Sequence, residues 1–163
     1  MYIANKYWNN YIGDTDDSLT LIEYLAEKQK EEISVEEIFT DFGLNQLHGD
    51  FRQPDMPLVY VNSEEWEIEI KYAIDLIADL AALLLECKMS GSVNLQELFG
   101  LDLEAAVPNI RITATPQEHE VINKVLMDFV FSPLDYDLSE MCPEEDMLEM
   151  AAICEELRKE LYQ

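Results

Sequence analysis

Carboxylates dominate the reactive side chains of this sequence: 35 Asp and Glu stand against two His and three Cys. Clustered acids suggest metal binding first. Asp14-Thr15-Asp16-Asp17-Ser18 opens in the manner of a calcium loop, but such a loop needs Gly at its sixth position and a bidentate Glu at its twelfth. Positions 19 and 25 are both leucine. The run Asp135-Tyr136-Asp137-Leu138-Ser139-Glu140 also lacks the glycine. Zinc has no footing either, because Cys87, Cys142 and Cys154 form no CxxC pair and His119-Glu120 is not followed by a second His at ligand spacing. Asp75, Asp79 and Glu86 fall within about 40° of one another on a helix. That set could hold a divalent ion inside a bundle, but no Glu-x-x-His accompanies it, so it reads as a polar edge facing a groove.

Catalysis by a nucleophile is equally poorly supplied. His48 lies in a loop with Gly49 and Asp50, and His119 in the first turn of a helix. Neither accompanies a recognisable Ser or Cys motif. A paired-carboxylate glycosidase needs a sugar cleft, for which 163 residues with few loops leave little room. The expectation is a protein that is not an enzyme and carries no metal and no cofactor.

What the acids can do is present charge. In the last helical segment Glu145, Glu149, Glu156 and Glu160 recur at spacings of four, seven and four, on one face. Like charges at i and i+4 destabilise a helix by about 0.2–0.5 kcal/mol per pair. Between positions 133 and 163 there are ten acids and two bases, net −8, with only Arg158 and Lys159 to compensate. A second set, Glu65, Glu67 and Glu69, alternates with Trp66, Ile68 and Ile70, so that one face of a strand is anionic and the other apolar. The run Asp14, Asp16, Asp17 and the helical set at 75, 79 and 86 complete four stripes. Near the amino terminus Tyr2, Tyr7, Trp8 and Tyr11 are interleaved with Asn5, Asn9 and Asn10, residue types that suit contact surfaces. That arm equally suits packing on the domain's own core.

Elements must hold these residues in place, and their order is legible. Residues 2–12 read as an edge strand or packed arm. A helix over 17–29 carries the stripe Leu19, Ile22, Leu25 and Ala26, and Ser34-x-x-Glu37 caps a short helix that stops at Gly43. Residues 57–70 form a hairpin about Asn62-Ser63. The segment 72–89 is apolar over most of its circumference, which marks a helix surrounded by protein. Asn94 caps a short helix ending at Gly100, and residues 109–114 are a third strand. Thr115-x-x-Glu118, with Pro116 at the first helical position, opens a helix burying Ile122, Val125, Leu126 and Phe129. The last helix runs from about 143 to 161 and packs Met147, Met150, Ala151, Cys154, Leu157 and Leu161. The sum is a single α+β domain of residues 1–163, helix-dominated, with about six helices around a small antiparallel sheet near residues 58–70.

The net charge of −25 over 163 residues, about −0.15 per residue, narrows the partner class. Nucleic acid and anionic membranes need clustered Lys and Arg, which this chain lacks. The odd cysteine count at non-framework spacings, and an opening without a charged and then an apolar region, point to the cytoplasm. The apolar stretch 73–87 is broken by three acids and spans no membrane. The pattern reads as an acidic inhibitor that occupies the nucleic-acid groove of a basic partner, a nuclease or an effector of restriction or CRISPR type. The alternatives are an immunity protein that neutralises one cognate toxin and an adaptor or assembly subunit; the oligomeric state is open. The contact residues expected are Glu145, Glu149, Glu156, Glu160, Glu65, Glu67 and Glu69, with Tyr7 and Trp8 as aromatic anchors in the immunity reading. Replacing the four glutamates of the last helix by glutamine is then expected to leave folding intact, or improve it slightly, while weakening partner binding.

Overall fold

A computed structural model describes residues 1–99 and 105–163. Seven helices and five short strands follow one another: α1 (Tyr2–Lys6), α2 (Asp16–Lys28), β1 (Glu32–Ser34), α3 (Val35–Phe42), β2 (Leu58–Val61), β3 (Glu67–Ile70), α4 (Ala73–Ser90), β4 (Val93–Asn94), α5 (Leu95–Phe99), β5 (Asn109–Thr113), α6 (Pro116–Phe131) and α7 (Glu144–Tyr162). Short 3-10 turns at Leu44–Leu47, Pro133–Asp135 and Asp137–Glu140 fill the connections. The α+β, helix-dominated class is as the patterning indicates. Among the described residues the helix count is seven rather than six, because residues 2–6 coil into α1 instead of forming a strand or an extended arm.

The caps behave as their chemistry requires. Ser34 Oγ accepts the Glu37 amide, and Gly43 ends α3 in the left-handed region. Thr115 and Glu118 close a reciprocal capping box at the start of α6. Thr15 and Ser18 close another, which starts α2 one residue early, at Asp16. Asn94 Oδ1 accepts the Glu97 amide at the start of α5; the expected stop of that helix at Gly100 lies outside the described residues. In α2 the core takes Leu21, Ile22 and Leu25, whereas Leu19 stays half exposed. The buried sets of α6 and α7 are those their spacing indicates.

Strands form two separate sheets. β2 and β3 pair antiparallel, Leu58 with Ile70 through Val61 with Glu67. The other sheet is mixed: β5 lies between β1, to which it is parallel, and β4, to which it is antiparallel. The parallel pair is built from segments almost eighty residues apart, Ile33 opposite Ile112, and local alternation carries no trace of it.

Everything surrounds α4. Residues 73–86 are buried without interruption, acids included. Asp75, Asp79 and Glu86 therefore do not edge a groove, as their spacing suggested. They face the chain's own interior. Glu86 Oε1 accepts the Ile3 amide at 3.1 Å and Oε2 the Ser90 hydroxyl at 2.7 Å. Asp79 Oδ1 accepts the Gly13 amide at 2.9 Å. Asp17, at the start of α2 and also buried, accepts the amides of Lys71 and Tyr72 at 2.9 and 3.0 Å and hydrogen-bonds Asp75. Buried amides need acceptors, and these carboxyls supply them where the amino-terminal arm and the exit of the hairpin meet the central helix. Gly13 is needed there for a second reason: at its φ of +82° a Cβ would fall inside the Trp8 indole.

Burial pushes the carboxyls of Asp17, Asp75 and Asp79 up. For Asp75 the charges of Asp79 and Asp17 add to burial, and Asp79 is raised to about 7 from 3.8. Each then keeps its proton in the fold at pH values where the unfolded chain has lost it. The folded state binds more protons across that window, so stability falls as pH rises from about 4 towards 7 and beyond. Asp79→Asn removes one such proton. Urea unfolding across this range is expected to show a pH slope less negative by up to about 1.4 kcal/mol per unit; an unchanged slope would mean that Asp79 ionises normally.

Candidate functional site

The acidic stripe of α7 divides into two halves. Glu145 and Glu149 are exposed, and Glu149 Oε2 accepts the Tyr11 hydroxyl at 2.8 Å, with Asp146 as that hydroxyl's other acceptor at 3.0 Å. The carboxy-terminal half is engaged by the chain itself. Lys6 Nζ lies 2.9 Å from Glu156 and 3.3 Å from Glu160. Both Tyr2 and Tyr7 donate their hydroxyls to Glu160. Partial burial pushes the Glu160 carboxyl up, but the hydrogen bonds of Tyr2, Tyr7 and Lys6 outweigh it and hold the group below its ordinary range. The compensation expected from Arg158 and Lys159 alone also comes from Lys6, a base 150 residues away in sequence. Glu155 takes Arg158 and Lys159. The ridge is therefore not continuous.

Tyr7 and Trp8, offered as aromatic anchors, are 1% and 5% exposed. They belong to the chain's own core, the second of the two placements their composition allowed. Tyr7 spends its one polar atom on Glu160, and Trp8 packs over Gly13. In this conformation neither ring offers a surface to a partner.

The hairpin places its acids differently from strict alternation. β3 begins at Glu67. Glu65 lies outside it, in the turn, with φ of +65°. The Asn62 amide donates to the Trp66 carbonyl at 3.0 Å, and Asn62 Oδ1 accepts the amides of Glu64 and Trp66. This closes a three-residue loop whose last residue is left-handed, a common hairpin form. Trp66 lies just beyond the ladder, where the core no longer covers it: Ile70 is buried, Ile68 half-buried and Trp66 68% exposed. The opposite face is not wholly anionic. Exposed Val59 pairs with Glu69 and exposed Val61 with Glu67. The hairpin tip thus shows Trp66, Val61 and Val59 among Glu64, Glu65, Glu67 and Glu69.

This tip is tied to α2. Glu27 accepts the Tyr60 hydroxyl at 2.8 Å, the Ser63 amide at 3.3 Å and the Ser63 hydroxyl at 3.2 Å. Beneath it, the rings of Tyr60, Tyr24 and Phe42 pack with centroids 4.7–5.1 Å apart. An exposed tryptophan beside a braced loop is a large aromatic side chain held ready for contact, and sequence spacing put it in the core. The signal that could have found it is Asn62, whose side chain favours a turn that caps its own backbone. Among the described residues no set of three or more His, Cys, Asp and Glu is arranged to hold a metal ion, and no helix is long and apolar enough to cross a membrane.

The family model described as Immunity protein 68 matches residues 2–161. No curated protein matches the chain, and no solved structure matches it.

The Glu160 contacts make a stability prediction that reverses the expectation for a free acidic stripe. Glu160→Ala strands two tyrosine hydroxyls and Lys6, and is expected to lower the unfolding free energy by about 1–3 kcal/mol. Glu145→Gln, which breaks no contact, is expected to change it by less than about 0.5 kcal/mol. Denaturant midpoints measure both; equal effects would contradict the assignment.

Proposed function

The chain belongs to the Immunity protein 68 family, and from that premise we propose that it neutralises one cognate protein toxin by binding it, without catalysis, through the outer face of the β2–β3 hairpin. The match over residues 2–161 carries the first half of this reading. Trp66 carries the second. Binding energy at protein interfaces concentrates in a few residues, with Trp, Tyr and Arg enriched among them. Trp66 supplies such an anchor, Val61 and Val59 add exposed apolar surface on β2, and the surrounding glutamates form a charged rim. Rim charges act mainly on association rate and on the choice of partner. A net charge of −25 favours a basic toxin. The fixed hairpin lets the contact form with little ordering of the inhibitor, which limits the entropy lost on binding.

Occupation of a nucleic-acid groove by a carboxylate ridge, the leading expectation from the sequence, draws no support from the family. Its geometric basis is also weakened, because Lys6 interrupts the α7 stripe and valines interrupt the hairpin acids. The three cysteines are unpaired, in keeping with the proposal that the protein acts in the reducing cytoplasm. The other strongly exposed aromatic, Phe131 at the end of α6, is the natural comparison residue.

Titration calorimetry of the purified pair, together with rescue of toxin-expressing cells, tests this. Trp66→Ala is expected to raise Kd by at least about 30-fold, the loss of a tryptophan hot spot worth about 2 kcal/mol or more. The double variant Glu67→Gln, Glu69→Gln is expected to slow association at low salt with a smaller effect on dissociation. Unchanged affinity for Trp66→Ala, with loss in Phe131→Ala or Glu145→Gln, would move the contact surface elsewhere. Failure of the wild-type chain to protect against any toxin would overturn the function itself.

A further inference from the structure

The basic side chains of this acidic protein are unevenly used. Eight of the ten lysines and arginines hold a carboxylate oxygen within 3.8 Å. The two that hold none, among the described residues, are Lys88 and Arg111, and both line the same cleft. It has a volume of about 680 Å³ and lies where the end of α4, strand β5, the start of α6 and the end of α7 converge. With 35 acids in the chain, a cation that pairs with none is kept from them by the fold. Arg111 alternates with buried Ile110 and Ile112 along β5 and so faces out of the sheet. Even Glu32, its register partner on β1, is not among its ion pairs.

We propose that this cleft binds a carboxylate carried on an apolar body. Arg111 offers a planar fork of donors that suits two carboxylate oxygens. Lys88 Nζ gives two bonds to the carbonyls of Glu160 and Leu161, at 3.2 and 2.9 Å, and keeps its third proton. His119 adds a polar group without charge. Its Nδ1 meets the Tyr162 hydroxyl at 3.0 Å, burial holds it below its ordinary value, and Nε2 has no partner among the described residues. Leu84, Ile112, Pro116 and Leu161 supply apolar wall. The volume falls in the range of small-ligand sites, about 300–1,000 Å³, and the few polar groups on an apolar lining match their composition. The net charge of −25 opposes any anion at long range, but at about 0.15 M salt the Debye length is about 8 Å, so the two nearby cations dominate inside the cleft.

One chemistry here has two sources, a free amphipathic acid or the carboxyl end of a polypeptide. The test titrates the full-length chain, at about 0.15 M salt, with octanoate, with octanol, and with an acetylated tripeptide ending in leucine as the free acid or as the amide. Amide resonances of Thr113, Ala114 and His119 report. Octanoate or the free-acid peptide is expected to shift them saturably, octanol and the amidated peptide not. Tighter binding of octanoate identifies a free acid, and tighter binding of the peptide a chain end. Arg111→Gln, whose side chain holds no hydrogen bond or ion pair among the described residues, is expected to weaken binding at least about tenfold. Lys124→Gln, outside the cleft, is expected to leave it unchanged. Absence of saturable shifts, equal binding of acid and amide, or full affinity in Arg111→Gln would overturn the proposal.

Discussion

The structure depends on a helix that meets no solvent over residues 73–86 and still carries three carboxyl groups there. Residues 73–86 of α4 are wholly buried, and an isolated ionised carboxylate in such a place is costly. The chain meets this in two ways. It retains protons: burial raises Asp75 and Asp79 together with their neighbour Asp17. It also brings backbone amides to the oxygens, those of Ile3 and Gly13 to Glu86 and Asp79 and those of Lys71 and Tyr72 to Asp17. These bonds fix the amino-terminal arm, the start of α2 and the exit of the hairpin against one rod. The surfaces of the molecule inherit their positions from that set of contacts.

Outside the core the same scarcity of bases shapes the surface. Lys6, delivered by α1 to the far end of α7, takes up Glu156 and Glu160, and Arg52 takes up Asp128 and Asp135. The acids left without bases are thus a selection made by tertiary contacts, and the hairpin glutamates around Trp66 are among them. An anionic rim around an exposed indole suits a partner that is basic and carries an apolar recess. An immunity protein must bind its own toxin and few other chains, and an anchor combined with a charge pattern discriminates better than charge alone.

Much of this was legible in the sequence, and the exceptions share a cause. Capping residues are local chemistry, so Ser34, Thr115 and Asn94 marked helix starts correctly, and the 3.6-residue spacing identified the buried faces of α6 and α7. The all-round apolarity of α4 was equally plain. Long-range contacts were not. Nothing in residues 2–8 announces that Tyr2, Lys6 and Tyr7 reach Glu160, and nothing in the alternation of residues 65–70 reveals that the ladder starts at Glu67 and leaves Trp66 exposed between turn and strand. The carboxylates of α4 looked like a groove edge because spacing tells which residues share a face, not what that face meets. The toxin-neutralising role was present only as an alternative, since composition speaks of charge and not of family.

Hydrogen–deuterium exchange on the protein, free and bound to its toxin, tests the central claim most directly. The account predicts that binding slows exchange of backbone amides in residues 59–69 and leaves the exposed face of α7, around Glu145 and Glu149, as it was. Slowed exchange confined to α7 or to the end of α6, with the hairpin unaltered, would contradict it.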